Sequence, residues 1–191
     1  MKAAVYQGKQ RFSIEEIPTP QPGPGQVLVK VEYSGICGTD VHGFLYDVVQ
    51  PGTVMGHEYS GVVCEIGKGV AKWSVGDRVV CGGGVPPQGK GARYLTNPRF
   101  NYRELGYEIS HRGYAEYALM EEWEPSRIPD GVSDVEAALA EPCGVAVRAV
   151  RKSVLRLGDT VAVIGAGPIG LFCIQAAKAA GASAVYVSEP A

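Results

Sequence analysis

The sequence predicts a β-rich domain followed by a single βαβ unit, and two observations lead to this fold class. The first is a strand-like alternation of Val27, Val29, Val31 and Tyr33 with Leu28, Lys30 and Glu32. The second is a change of period after about residue 133, where short apolar runs at 160–164 and 184–188 flank an alanine-rich helix pattern at 168–180. Alternation with period two is typical of a half-buried strand, whereas an apolar strand, a helix and another apolar strand form a βαβ unit.

The first part of the chain contains further strand candidates separated by turn residues. A rigid connector of Pro18, Pro20, Pro22 and Pro24 precedes the first strand. Strands are expected at 59–66, 78–81 and 114–120, whereas 82–112 has no clear period and is predicted to be a long surface loop.

The second part is predicted to be helical before it becomes α/β. Ser133 and Glu136 have the spacing of a capping box, and Pro142 is expected to begin a helix that ends near Leu157, where Gly158 closes it. A doubly wound nucleotide domain has six strands, so roughly two thirds of such a domain is expected to be missing from this chain.

Composition excludes several classes of function. A net charge of −2 provides no electrostatic attraction for nucleic acid or an anionic membrane, and no apolar run reaches the length of a membrane span. The N-terminus lacks the apolar stretch of a signal peptide, and the five cysteines form no C-x-x-C pair. A cytoplasmic protein with reduced thiols is expected.

Four potential zinc ligands are spread along the chain: Cys37, His57, Glu58 and Glu141. Twenty residues separate Cys37 from His57 and a further 84 separate His57 from Glu141, so a zinc finger with closely spaced pairs is excluded. Distant ligands that converge in a cleft are typical of a catalytic zinc site. Each residue taken alone is more often packed or exposed than metal-bound, and Cys143 is a rival to Glu141.

Four short frames, three of which contain these residues, carry a family resemblance. They read Cys37-Gly38-Thr39-Asp40-Val41-His42, Gly56-His57-Glu58-Tyr59-Ser60-Gly61, Gly113-Tyr114-Ala115-Glu116-Tyr117 and Glu141-Pro142. In order and framing they resemble the zinc-dependent medium-chain alcohol and polyol dehydrogenases. The resemblance implies a GroES-like catalytic domain over residues 1–144 and the first βαβ unit of a Rossmann NAD-binding domain over 145–191.

The same resemblance implies roles for single residues. Cys37 and His57 are the implied primary ligands, and Glu58 lies at the zinc, either bound directly or exchanging with Glu141. The Thr39 hydroxyl accepts the proton of the substrate alcohol. His42 passes that proton to solvent, and Asp40 orients His57. Many relatives bind a second, structural zinc through four close cysteines. Here only Cys81 borders the matching segment, so one catalytic zinc and no structural zinc is expected.

A dinucleotide-binding turn is predicted between the two apolar strands of the second part. Its residues are Gly165, Gly167, Pro168, Ile169 and Gly170, and Glu189 follows the last glycine by 19 residues. The glycines let backbone N–H groups approach a pyrophosphate, and the acidic residue accepts hydrogen bonds from ribose hydroxyls, which favours NAD over NADP. The alternative is that the glycines serve only close packing of strand and helix.

The function expected from the sequence is zinc-dependent, NAD-linked oxidation of a secondary alcohol or polyol. A small-molecule alcohol is the expected partner, with no nucleic acid or membrane, and a homo-oligomer is possible. Since the sequence contains only the first part of a cofactor domain, the 191 residues by themselves are expected to be inactive. A non-catalytic zinc-binding scaffold and a zinc-free reductase of the same fold are the alternatives.

Overall fold

The computed structural model describes residues 1–82, 108–109 and 113–190. The chain forms two compact units, Met1–Leu139 and Ala140–Ala191. This division lies close to the predicted boundary after residue 144, and the extents of the functional domains stay a prediction. Most of the loop predicted over 82–112 lies outside the described residues.

The first unit is built mainly of antiparallel strands. They are β1 (Lys2–Gly8), β2 (Arg11–Glu16), β3 (Gln26–Ser34), β4 (Thr53–Val54), β5 (Tyr59–Ile66), β6 (Arg78–Val80), β7 (Glu108–Ile109), β8 (Tyr117–Glu121) and β9 (Ser126–Arg127). One sheet has the order β2-β1-β4-β7 and the other the order β8-β3-β5-β6-β9. The described part of the unit also contains two short helices, α1 (Gly38–Leu45) and α2 (Asp134–Ala137).

Strand β3 is central in the five-stranded sheet, between β5 and β8. Val27 and Val29 on one face belong to a buried cluster with Tyr59 and Trp73. Leu28 on the opposite face is also buried, so the first half of β3 is covered on both faces and exposure begins at Lys30. The predicted half-buried alternation is therefore wrong for the first half of the strand, and in the second half only Val31 is partly buried, since Tyr33 is exposed.

Strand β8 begins later than the predicted start at residue 114, because the preceding residues bond elsewhere. The N–H of Tyr114 donates to the carbonyl of Met55 at 2.9 Å, and the carbonyl of Tyr114 accepts from Ala4 at 2.8 Å. Residues 113–115 therefore join the sheet that contains β1 and β4 before the chain enters β8.

The second unit contains helix α3 (Ala140–Lys152), strand β10 (Thr160–Ile164), helix α4 (Pro168–Ala179) and strand β11 (Ala184–Ser188). The two strands pair in parallel, from Thr160 opposite Ala184 to Ile164 opposite Ser188. Their bounds match the apolar runs seen in the sequence. That this unit begins a dinucleotide-binding domain stays a prediction.

The helix starts and ends reflect local capping. The predicted capping box at α2 is present, with Ser133 and Glu136 exchanging side-chain to backbone hydrogen bonds. The expected end of α3 near Leu157 is wrong. The hydroxyl of Ser153 donates to the carbonyl of Val150 and accepts from the N–H of Leu155, which closes the helix at Lys152. Within the described residues, no helix combines the length and the apolarity that crossing a membrane requires.

Candidate functional site

Cys37 is positioned by the start of helix α1. It is the N-cap residue, with extended backbone angles (φ −77°, ψ 153°), and its Sγ accepts a hydrogen bond from the N–H of Thr39 at 3.4 Å. In return, Oδ2 of Asp40 accepts the N–H of Cys37 at 2.9 Å. This reciprocal arrangement is a capping box in which cysteine replaces the usual serine or threonine. One local motif therefore fixes both the thiol and the carboxylate next to it.

His57 and Glu58 lie in residues 56–59, which we call the ligand segment, just before and at the start of β5. Backbone hydrogen bonds hold this segment at each end. The N–H of Gly113 donates to the carbonyl of Gly56 at 2.8 Å, and the N–H of Cys81 donates to the carbonyl of Tyr59 at 2.9 Å. A third bond of 2.6 Å runs from the N–H of Gly35 to the carbonyl of Glu58. The two side chains are thus presented from a fixed backbone.

The structure brings three of the four predicted ligands together. One potential ligand atom from each of Cys37, His57 and Glu58 lies within 4.8 Å of the other two. Zinc binds sulfur, nitrogen and oxygen at about 2.0–2.3 Å, so ligand atoms around a tetrahedral ion are roughly 3.3–3.8 Å apart. Small side-chain rotations would close that difference. A thiol, an imidazole and a carboxylate together form a donor set that fits zinc.

A buried carboxylate stands behind the ligand set. Asp40 is 4% exposed, and its Oδ1 lies 3.8 Å from Nδ1 of His57. This separation is too long for a hydrogen bond, but the two atoms face each other as the predicted orienting role of Asp40 requires. Its other oxygen, Oδ2, accepts a 3.0 Å hydrogen bond from the hydroxyl of Tyr114.

Tyr114 is a contact of the site that sequence reasoning missed. In the sequence, Gly113-Tyr114-Ala115 is only one of the frames that carry the family resemblance, and no signal there pairs Tyr114 with Asp40. Burial, followed by the charge of Asp40 and the hydrogen bond to it, raises the pKa of the Tyr114 phenol. The hydroxyl is therefore a permanent donor at neutral pH.

Thr39 and His42 both lie on helix α1 and are exposed. Residues three apart on a helix are neighbours on its surface, so the helix places the two side chains next to each other. The ring of His42 meets the ring of Tyr46 edge-on at 5.5 Å. This placement agrees with a proton path from Thr39 to His42, whose existence stays a prediction.

Glu141 lies in the first turn of α3, in the second unit, and is partly buried, as is its predicted rival Cys143. The choice between these two residues, and between Glu141 and Glu58, stays a prediction.

The predicted dinucleotide turn joins β10 to α4. Gly165 has φ +97°, a left-handed conformation that favours glycine. A Cβ on Gly170 would lie 2.0 Å from the carbonyl oxygen of Gly165, so only glycine lets the helix start this close to the strand. A Cβ on Gly167, the N-cap of α4, would meet nothing within 4 Å. The first and third glycines serve the fold, whereas the second leaves open the surface that a pyrophosphate would approach.

Pro168 is the first residue of α4 and Ile169 the second, and both are exposed. Glu189 follows β11 directly, and its carboxylate accepts a hydrogen bond from the N–H of Ala166, inside the glycine-rich turn. The end of β11 therefore delivers an acidic side chain to the turn, as the predicted ribose contact requires.

A comparison with protein families identifies the class of protein. The profile described as "Alcohol dehydrogenase GroES-like domain" matches residues 23–130, which include Cys37, His57, Glu58, Asp40 and Tyr114. The chain belongs to the zinc-dependent medium-chain alcohol and polyol dehydrogenase family, of which this domain is a part.

Individual relatives agree with this assignment. (R,R)-butanediol dehydrogenase of Bacillus subtilis (strain 168) is 40% identical over 202 residues, covering 99% of this chain and 58% of the relative. Sorbitol dehydrogenase of Halalkalibacterium halodurans is 37% identical over 193 residues, covering 97% of this chain and 55% of the relative. The chain thus spans little more than half the length of these curated relatives.

A solved structure has the same fold. The crystal structure of 2R,3R-butanediol dehydrogenase from Bacillus subtilis matches with a TM-score of 0.80 at 36% sequence identity. The match covers 100% of this chain and 58% of that chain.

Proposed function

We propose that this chain is part of a zinc-dependent, NAD-linked dehydrogenase that oxidises a secondary alcohol or polyol. The observation that carries the proposal is the convergence of Cys37, His57 and Glu58 within 4.8 Å. The relatives described as butanediol and sorbitol dehydrogenases support a diol or polyol as substrate. Residues 1–144 supply the zinc half of the active site in this proposal, and residues 145–191 begin the cofactor half.

Cys37, His57 and Glu58 would hold the metal, with Glu141 as the residue that would exchange with Glu58. Zinc at this position supplies a Lewis acid that lowers the pKa of a substrate hydroxyl. The exposed hydroxyl of Thr39 accepts the proton of that group, and His42, three residues further along α1, passes it to solvent. Asp40 orients His57 throughout.

The cofactor half depends on the turn between β10 and α4. NAD bound at this turn would supply the acceptor for the hydride that leaves the carbon of the alcohol. The open surface at Gly167 would leave room for the pyrophosphate, and the carboxylate of Glu189 would accept hydrogen bonds from the ribose hydroxyls and disfavour a 2′-phosphate. The alcohol thereby loses one proton and one hydride and becomes a ketone.

Zinc content tests the metal half. The purified protein is expected to bind one equivalent of zinc, and both Cys37→Ser and His57→Ala are expected to lose it, because each removes a donor. Cys64→Ser is the matched control, since Cys64 is a partly buried thiol on β5 outside the ligand group. Stoichiometric zinc retained by both ligand variants would refute the assignment.

Activity tests the reaction. In a form of the protein that carries a complete dinucleotide-binding domain, we expect oxidation of 2,3-butanediol or sorbitol with NAD, dependent on zinc. Zinc binding without NAD binding in that form would favour the non-catalytic scaffold instead. That the 191 residues alone lack turnover stays a prediction.

A further inference from the structure

Asp40 contacts two of the three candidate metal ligands of the first unit, Cys37 and His57, through its two oxygens. Oδ2 accepts the backbone N–H of Cys37 at 2.9 Å, and Oδ1 faces Nδ1 of His57 at 3.8 Å. A carboxylate can rotate about its Cβ–Cγ bond, so its position alone does not decide which oxygen serves which partner. Hydrogen-bond donors that occupy one oxygen fix the rotation of the carboxylate. Tyr114 is the second donor to Oδ2, at 3.0 Å.

Tyr114 is held in place by contacts other than the one to Asp40. Its N–H donates to the carbonyl of Met55 and its carbonyl accepts from Ala4. Its ring lies against Gly56, where a Cβ would come within 2.6 Å of a ring carbon. The hydroxyl therefore reaches Asp40 from a fixed backbone that also borders the ligand segment.

From this geometry we propose that Tyr114 is a positioning residue for the metal site, acting on His57 through Asp40. The inference rests on the proposed zinc function. With Oδ2 occupied by Cys37 and Tyr114, Oδ1 remains for the Nδ1–H of His57, which leaves Nε2 as the atom that binds the metal. Without the Tyr114 hydroxyl, Oδ2 of Asp40 accepts a hydrogen bond only from Cys37. The carboxylate can then rotate, and the imidazole of His57 is less restricted in orientation.

Tyr114→Phe tests the proposal, because it removes the hydroxyl and keeps the ring against Gly56. The matched control is Tyr6→Phe. The hydroxyl of Tyr6 donates to Oδ1 of Asp47 at 2.5 Å, so the same kind of bond is lost just beyond the other end of α1, away from the ligands. A role limited to anchoring α1 would make the two variants behave alike.

Two measurements distinguish a role in positioning His57 from a role limited to anchoring α1. Zinc affinity, by competition with a chromophoric chelator, is expected to fall about 10-fold in Tyr114→Phe, which is typical of removing a hydrogen bond behind a metal ligand. The visible spectrum of the cobalt-substituted protein is expected to change in the same variant. Tyr6→Phe is expected to change neither, although its urea midpoint falls. Equal zinc affinities and cobalt spectra in the two variants would overturn the proposal.

A double-mutant cycle with Asp40→Asn tests the route. If Tyr114 acts through Asp40, Tyr114→Phe weakens zinc much less in the Asp40→Asn background than alone. Additive losses would overturn that route, and urea midpoints of the metal-free variants show whether a loss comes from unfolding. A parent protein that binds no zinc would refute the proposed function itself. Equally tight zinc binding by the parent and by Tyr114→Phe would refute only the role of Tyr114.

Discussion

A methyl group at Gly35 would lie 2.7 Å from Oε2 of Glu58, closer than a Cβ atom approaches another heavy atom in proteins. Gly35 also donates its N–H to the carbonyl of Glu58 at 2.6 Å. The absence of a side chain at Gly35 therefore makes the space in which the Glu58 carboxylate stands beside Cys37 and His57.

We expect Gly35→Ala to weaken zinc binding more than it weakens the fold. The closest atom is the carboxylate oxygen at the far end of a flexible side chain, with Cβ of Glu58 next at 3.3 Å. The carboxylate of Glu58 is therefore expected to move aside and leave the ligand group. The measurement is zinc affinity together with the urea midpoint. Gly144→Ala is the control, since a Cβ there meets nothing within 4 Å. Unchanged zinc affinity in Gly35→Ala would show that Glu58 is not needed for the metal.

Gly170→Ala is expected to lower the stability of the fold, whereas Gly167→Ala is expected to lower the affinity for NAD. At Gly170 the new Cβ meets a backbone oxygen at 2.0 Å, so α4 must move from β10, with an expected loss of about 1–3 kcal/mol in unfolding free energy. At Gly167 the Cβ points into open space and stability is retained, but the approach of the pyrophosphate is blocked. Urea denaturation and NAD titration measure the two effects. Equal NAD affinity in Gly167→Ala and the parent would contradict the assignment of the turn.

Glu189→Ala is expected to weaken NAD binding and to reduce discrimination against NADP, because it removes the carboxylate that repels a 2′-phosphate. The measurement is the ratio of kcat/KM values for NAD and NADP in a form of the protein with a complete cofactor domain. The control is Glu65→Gln, an exposed acid on β5. If the ratio does not move, another group sets cofactor choice.

Asp77 is expected to contribute to the acid sensitivity of the first unit. Hydrogen bonds from Arg127, then from the backbone of Ser74, hold the pKa of this carboxyl below its ordinary value of 3.8. A lowered folded-state pKa stabilises the protein above the unfolded pKa, and the contribution disappears as pH falls through the folded pKa.

Asp77→Asn should therefore be less stable than the parent at about pH 7, with a difference that shrinks as pH falls below about 4. Urea midpoints across this range provide the measurement, with Glu65→Gln as the control. A difference between parent and variant that does not vary with pH would argue against the ion pair as its cause.

The sequence was most informative where the signal was local. Strand β5, strands β10 and β11, and the capping box of Ser133 all form where the residue pattern places them. The end of α3 was misjudged because the side chain of Ser153 closes the helix before Gly158, a competition that the apolar period does not reveal.

In the candidate site, too, the residues within short local motifs could be predicted and those that act through distant contacts could not. The types of ligand followed from the frames around Cys37 and His57, since each frame is a short run of residues. Gly35 and Tyr114 could not be found by the same reasoning, because their importance lies in contacts with Glu58 and Asp40 made across the fold. The Tyr114–Asp40 hydrogen bond joins residues 74 positions apart.

The two backbone bonds that hold the ligand segment also fix where the chain between them leaves and returns. The backbone N–H of Cys81 donates to the carbonyl of Tyr59 on one side of His57, and the N–H of Gly113 donates to the carbonyl of Gly56 on the other. We therefore expect changes in chain length between Gly82 and Glu108 to leave the backbone of the ligand segment in place. Doubling the length of such a connection costs only about 0.6 kcal/mol in loop-closure entropy. The chain length at this position can therefore vary while the ligand segment keeps its backbone hydrogen bonds.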